Sequence, residues 1–355
     1  MKELRLMKGN EAIAEAAIRA GADAYFGYPI TPQSEILEYL VEQNPEETTG
    51  MVILQAESEV AAINMVYGAA STGKRIMTSS SSPGISLMTE GISYLAGAEL
   101  PCLIVNVARG GPGLGTIQPS QADYFQSTKG GGHGDYRMLV LAPFSVQEMA
   151  DFVSLGFELA FKYRNPVLIL SDGVIGQMME KVELPEFQPR KTDYEPWGTT
   201  GKTPDRERNI ITSLNLDALE HEQHNFKLQA KYKQMEEEDT RCETSFCEDA
   251  EYLIIAYGAS ARISRKAVEL ARAKGIKAGL FRPITLFPFP SKELNEAARN
   301  AKGLLSVEMS AGQMIEDVKL ATGCRIPVQH FGRYGGVVHA PGEILEALEK
   351  LKDNK

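Results

Sequence analysis

Two glutamates, Glu57 and Glu59, stand between the apolar run 51–54 and the small apolar stretch Val60-Ala61-Ala62-Ile63. A carboxylate in that position has two readings. Exposed, it steadies the first turn of a helix by about 0.3–1 kcal/mol. Half-buried, it can act as acid, base or hydrogen-bond partner to a cofactor nitrogen. Arg109 follows the apolar run 102–107 and enters Gly110-Gly111-Pro112-Gly113-Leu114-Gly115. A guanidinium there can face solvent, join an ion pair, or grip a carboxylate or phosphate bidentately. Thr31 belongs to Tyr28-Pro29-Ile30-Thr31-Pro32, where two prolines limit how its hydroxyl can point. The hydroxyl run 78–82 with Gly84 is either a capped helix start or a set of donors for an anion.

Other groups carry less. The glycines at 111, 113 and 115 suggest a dinucleotide loop, but Pro112 interrupts them and the spacing is not G-x-G-x-x-G, so a nicotinamide-dependent oxidoreductase stays only as a rival. His221-Glu222-Gln223-His224 is one residue short of the zinc-binding H-E-x-x-H and reads as a solvated helix. His133, beside Asp135 in a glycine cluster, is a candidate loop contact. No residue is assigned to a metal. Cys102, Cys242, Cys247 and Cys324 are too few and too irregular for a disulfide framework or an iron–sulfur motif, which points to a reducing, cytoplasmic setting. The first residues lack a secretory pattern, and no run of 18 apolar residues exists, so no membrane role is expected. A net charge of −10 argues against nucleic acid as a partner.

These residues need a scaffold that gathers them. From residue 10 to about 185, amphipathic helical patterns alternate with short apolar runs, the signature of an α/β fold with a parallel sheet. Asn10 is expected to cap a first helix ending at Gly21. Strands are expected at 23–28, 51–54, 75–78, 102–107, 138–141 and 167–170. Ligands of open parallel sheets bind beyond the carboxyl ends of the strands. The segments 28–32, 55–59, 78–84, 109–115 and 130–135 all fall there. Prolines at 186, 189, 196 and 204, then a charged helical stretch at 217–238, mark residues 186–249 as a linker. A second, smaller α/β domain follows at 250–355.

Taken in order, these segments make the chain resemble the alpha subunit of 2-oxoacid:ferredoxin oxidoreductases, multi-subunit enzymes that use thiamine diphosphate. The resemblance covers nearly the whole chain. It rests on Gly27-Tyr28-Pro29-Ile30-Thr31-Pro32, on Gln55-Ala56-Glu57-Ser58-Glu59-Val60-Ala61-Ala62, on Ser82-Pro83-Gly84, on Arg109-Gly110-Gly111-Pro112 and on Pro119-Ser120-Gln121. It implies a pyrimidine-binding domain at 1–185 and a transketolase C-terminal-like domain at 250–355. It carries Glu59 over as the acid that bonds N1′ of the aminopyrimidine, with Glu57 the lesser candidate, and Thr31 and Arg109 as contacts to the substrate carboxylate. Pro29, Ser82 and Gly84 are carried over as cofactor contacts.

The diphosphate motif of this cofactor class, Gly-Asp-Gly with a later asparagine, is missing; Ser171-Asp172-Gly173 is a partial echo. The resemblance therefore places Mg2+ and the diphosphate on a beta subunit, and an iron–sulfur cluster on that or a further gamma or ferredoxin-like subunit. Ferredoxin is the implied electron acceptor and coenzyme A the co-substrate. The phrases around residues 54–61, 113–117 and 211–214 resemble the branched-chain (2-oxoisovalerate) type most, with the 2-oxoglutarate type next. A scaffold subunit without chemistry is the remaining rival.

Overall fold

A computed structural model describes residues 3–353 apart from 191, 192, 194 and 203. Its strands, in chain order, are β1 (Leu4–Lys8), β2 (Ala24–Gly27), β3 (Val52–Gln55), β4 (Ile76–Ser80), β5 (Cys102–Ala108), β6 (Leu139–Leu141), β7 (Pro166–Asp172), β8 (Met179–Glu183), β9 (Cys242–Ser245), β10 (Tyr252–Ala256), β11 (Ala278–Pro283), β12 (Thr285–Phe287), β13 (Gly303–Glu308) and β14 (Val328–Gly332). A seven-stranded sheet runs β12-β6-β7-β5-β4-β2-β3, and a five-stranded sheet runs β14-β13-β10-β11-β9. The central runs, β5 and β7, are buried along their whole length, as parallel strands covered on both faces must be.

Each sheet takes one antiparallel edge strand from an unexpected stretch. β12, from the second half of the chain, pairs with β6 of the large sheet. β9, from the stretch assigned to the linker, pairs with β11 of the small one. A separate ribbon joins β1 to β8, so residues 4–8 reach the end of the first α/β run.

One face of the large sheet packs helices Gly9–Arg19, Ser34–Gln43 and Val146–Tyr163. The other packs Glu59–Ala70 and Ser82–Gly97, and that core continues through Leu253, Phe281 and Leu304 of the small sheet. The charged helix Ala218–Glu238 buries only Leu228, Tyr232 and Met235, spaced at helical periodicity, and its Lys227 and Lys231 pair with Glu99.

Asn10 does not cap the first helix. The helix starts at Gly9, Glu11 accepts the Lys8 N–H at 3.0 Å, and the Asn10 amide instead donates to the Pro32 carbonyl at 2.8 Å and to Glu35 at 2.9 Å. Gly9 is required here, because a Cβ would lie 2.1 Å from the Ile175 carbonyl oxygen.

The order β5-β4-β2-β3 puts four strand ends side by side. The helix after β2 packs on one face of the sheet and the helix after β4 on the other. Neighbouring connections that diverge in this way open a crevice between β2 and β4 at their carboxyl ends.

Candidate active site

Four of the expected segments leave those four strand ends: 28–32 after β2, 55–59 after β3, 78–84 at β4 and 109–115 after β5. At β3, Ser58 has extended backbone and its Oγ accepts the Ala61 N–H at 3.1 Å, so the helix begins at Glu59. That cap separates the two glutamates. Glu57 stays exposed, while Glu59 turns inward and keeps only 6% of its surface exposed. Among the described residues the Glu59 carboxylate has neither a cation nor a hydrogen-bond donor. A buried carboxylate without partners is costly, which marks it as a group held ready for something outside the chain.

Gly84 makes room for it. A Cβ at Gly84 would stand 2.7 Å from Glu59 Oε1 and 2.0 Å from Ser80 Oγ. The structure thus places Gly84 as clearance at the acid. The hydroxyls of Thr78, Ser80 and Ser81 are likewise buried without partners.

Arg109 leaves β5 with 8% of its surface exposed and no carboxylate of the described residues within ion-pair distance. Its Nη1 donates to the Thr31 carbonyl at 2.9 Å and its Nη2 to the Leu114 carbonyl at 3.2 Å; its Nε is buried and unpartnered. Arg109 and Thr31 are therefore brought together, through the Thr31 backbone. Thr31 and Pro29 are exposed at the mouth of the crevice. A buried polar chain holds their loop: Tyr25 to Ser79 at 2.7 Å, Ser79 to Gln33 at 2.8 Å, and Gln33 to the Tyr28 carbonyl at 2.9 Å.

The loop 110–115 curls back on itself. Gly115 has φ +56°, and a Cβ there would lie 1.8 Å from the Gly110 carbonyl oxygen. The loop then reaches no helix until Tyr124–Thr128, so it lacks the strand–turn–helix context of a dinucleotide site.

Ser82 is placed beneath Arg109. Its hydroxyl donates to Asp123 Oδ2 at 2.7 Å and accepts the Arg109 N–H at 3.0 Å. Asn106 Nδ2 donates to the same Asp123 oxygen at 2.8 Å. Burial pushes the Asp123 carboxyl above its ordinary range, against the two hydrogen bonds that hold it down. Sequence reasoning did not find Asp123. An aspartate just before a short helix looks like a cap, yet this one makes no cap bond.

Other candidates fall elsewhere. His133 is exposed and meets Ser93 and Tyr94, in the last turns of the helix that Ser82 and Gly84 begin. His224 bonds the Gly97 carbonyl at 2.7 Å. Asp172 caps the short helix Gly173–Gln177 and faces Gly258 of the second sheet. Among the described residues no group of three or more His, Cys, Asp or Glu side chains could hold a metal ion, and no helix is long and apolar enough to cross a membrane.

An unpartnered buried acid, a glycine gap beside it and orphaned hydroxyls suit a ring bearing nitrogen acceptors and donors. Among the described residues no cluster of side chains stands ready for the metal ion that accompanies a diphosphate. On this geometry and on its parallel sheet, the fold is that of a thiamine diphosphate-binding domain followed by a second α/β unit. Residues 15–243 match the pyruvate flavodoxin/ferredoxin oxidoreductase thiamine diphosphate-binding family, and residues 250–344 match pyruvate:ferredoxin oxidoreductase core domain II. The chain belongs to this family of oxidoreductase subunits.

Among its relatives, ketoisovalerate oxidoreductase subunit VorB of Methanothermobacter marburgensis is 53% identical over 98% of this chain and 97% of that protein. The 2-oxoglutarate synthase subunit KorA of the same organism is 37% identical over 99% of this chain and the whole of that protein. The solved 2-oxoglutarate:ferredoxin oxidoreductase from Magnetococcus marinus, with 2-oxoglutarate, coenzyme A and succinyl-CoA bound, aligns at TM-score 0.88 and 28% identity. That alignment covers 98% of this chain and 65% of that longer one. An inactive split-gene transketolase shares the fold alone, at TM-score 0.61 and 15% identity over 97% of this chain and 98% of that one.

Proposed function

We propose that this chain is the pyrimidine-side subunit of a ketoisovalerate:ferredoxin oxidoreductase, which decarboxylates a branched 2-oxoacid oxidatively to its acyl-CoA. The observation that carries the reading is the buried Glu59 carboxylate, unpartnered among the described residues and lodged against Gly84. When bound, thiamine diphosphate supplies a nucleophilic carbon and a sink for the electron pair left by decarboxylation. Glu59 holds the proton at N1′ of the aminopyrimidine, shielded from water by the helix start around it. Ser80, orphaned beside Glu59, donates to the same ring and Pro29 borders it, whereas the Ser82 hydroxyl is spent on Asp123 and the Arg109 N–H and acts on the arginine's side of the site.

Arg109 positions the substrate. With Nη1 and Nη2 fixed on the Thr31 and Leu114 carbonyls, its guanidinium is preset and its Nε–H is free to meet a carboxylate. The Thr31 hydroxyl, exposed beside it, is the second contact. Leu114 and Ile117 project from the same loop, and an apolar wall suits a branched side chain better than a second carboxylate. The higher identity to the ketoisovalerate subunit than to the 2-oxoglutarate subunit of one organism points the same way.

The diphosphate, Mg2+ and an iron–sulfur cluster belong, on this reading, to a beta subunit and to a gamma or ferredoxin-like subunit, with ferredoxin taking the electrons and coenzyme A the acyl group. On this reading the chain divides into the cofactor domain at 1–185, a linker at 186–249 that lends β9 to the second sheet, and the second domain at 250–355, which lends β12 to the first. Four unpaired cysteines support a cytoplasmic setting. The test is coenzyme A-dependent dye reduction by the complex assembled with its genomic neighbours, over a panel of 2-oxoacids. Ketoisovalerate should lead 2-oxoglutarate by about tenfold or more in kcat/KM. A preference for 2-oxoglutarate would overturn the substrate assignment.

A further inference from the structure

We infer that Asp123 is a positioning residue that sets the substrate-binding arginine through Ser82, and so ties Arg109 to the second domain. This rests on the reading of Arg109 as the carboxylate contact. Asp123 occupies the residue before helix Tyr124–Thr128, where an aspartate ordinarily bonds the free N–H groups of the helix. Here its carboxylate turns away from the helix. Its Oδ2 gathers Ser82 Oγ at 2.7 Å and Asn106 Nδ2 at 2.8 Å, and Ser82 Oγ in turn accepts the Arg109 N–H at 3.0 Å. The Asp123 oxygen, at 2.7 Å, is a nearer acceptor for the Ser82 proton than the Arg109 carbonyl at 3.2 Å, and a proton directed to Asp123 leaves the Ser82 lone pairs to the Arg109 N–H. That orients the peptide from which the guanidinium springs.

The segment around Asp123 is anchored on the far side. Ser120 and Gln121 bond Met309, Phe125 N–H donates to Gln313 at 2.8 Å, and Tyr124 OH donates to Asp317 at 2.6 Å. A shift of the second domain is therefore transmitted to residues 120–125, and Asp123 is the member of that segment whose side chain reaches the start of helix Ser82–Gly97. No other carboxylate of the described residues bonds Ser82 or Asn106.

Both donors converge on one carboxylate oxygen, which makes the role separable from mere packing. Asparagine can place its carbonyl oxygen where Oδ2 stands, whereas alanine cannot. In the assembled complex, Asp123→Ala should raise KM for the 2-oxoacid about tenfold, as loss of a hydrogen bond to a charged group does, with little change in kcat. Asp123→Asn should stay within about twofold of wild type. Ser82→Ala should reproduce the alanine effect, and Asp123→Ala with Ser82→Ala should add nothing further, since the two act as one unit.

A second readout needs no turnover: amide hydrogen exchange of the peptide spanning 107–112 in the full complex. It should quicken in Asp123→Ala and in Ser82→Ala and match wild type in Asp123→Asn. An unchanged KM and unchanged exchange in Asp123→Ala, or additive effects in the double variant, would overturn the inference. A wild-type complex that reduces dye with no 2-oxoacid would instead overturn the proposed function, and the exchange pattern would still decide the link from Asp123 to Arg109.

Discussion

The crevice above β2 and β4 and the junction between the two sheets are both built from buried polar side chains, and the groups at their centres, Glu59 and Gln121, are finished to opposite degrees. At the junction every polar atom of Gln121 is used. Its Oε1 accepts from Ser260 at 2.6 Å and from Met309 N–H at 2.9 Å, its Nε2 donates to the Tyr257 carbonyl at 2.9 Å, and its own carbonyl accepts from Tyr257 OH at 3.1 Å. Glu308 nearby is fully buried and accepts five donors: the Ser306 and Ser310 hydroxyls and the N–H groups of Gln313, Met314 and Ile315. In the crevice, by contrast, Glu59, Ser80, Ser81 and Arg109 Nε wait without partners. A saturated network stabilises a fold; an unsaturated one in the same molecule marks a surface whose partners come from outside.

The comparison breaks first at Glu59. Glu59→Gln should lower turnover of the assembled complex by about 100-fold or more while leaving the thermal midpoint of this chain at or above wild type, because among the described residues the buried carboxylate has no partner to lose. A collapse in stability with turnover intact would reverse the assignment of the two regions. Gln121→Ala should do the opposite. Stripping partners from Ser260, Met309 N–H and the Tyr257 carbonyl should cost about 2–4 kcal/mol in urea unfolding, with turnover at saturating 2-oxoacid near wild type.

A smaller effect separates two titrating groups at the junction. Burial raises the Asp172 carboxyl to about 6 and lowers the His339 imidazole to about 4. The folded chain holds the Asp172 proton more tightly than the unfolded one, so this group's stabilisation is present in acid and fades as pH rises through 6. His339 works the other way, its share being lost as pH falls from 6.5 towards 4. Each is on the order of 2–3 kcal/mol and the two oppose each other. Melts from pH 4.5 to 7 should therefore show Asp172→Asn gaining stability with pH relative to wild type, and His339→Gln losing it. Two variants that both track wild type would remove the junction from the pH response.

Much of this was legible in the residues. Fully apolar runs such as 102–107 are forced into a parallel sheet by the helical patterns between them, and Arg109, Thr31 and Gly84 stand at strand ends for that reason. The resemblance already preferred Glu59 to Glu57, and the Ser58 cap supplies the physical difference between them, since either glutamate could open the helix on pattern alone. Asn10 was misjudged because its partners, Pro32 and Glu35, lie two elements away. Asp123 escaped, and Gln121, though part of the quoted segment 119–121, was given no role, for the same reason: their partners are distant in sequence, and a short edge strand such as β12 carries too few residues to announce its sheet. Local pattern fixes elements; cross-chain hydrogen bonds become visible only in space.

On the proposed reading, this chain holds one half of a cofactor site. Calorimetric titration of thiamine diphosphate with Mg2+ into the isolated chain and into the complex assembled with its genomic neighbours tests this most directly. The account expects saturable binding by the complex, weakened in Glu59→Gln, and none by the chain alone. Stoichiometric binding of the magnesium diphosphate cofactor by the isolated chain would contradict it.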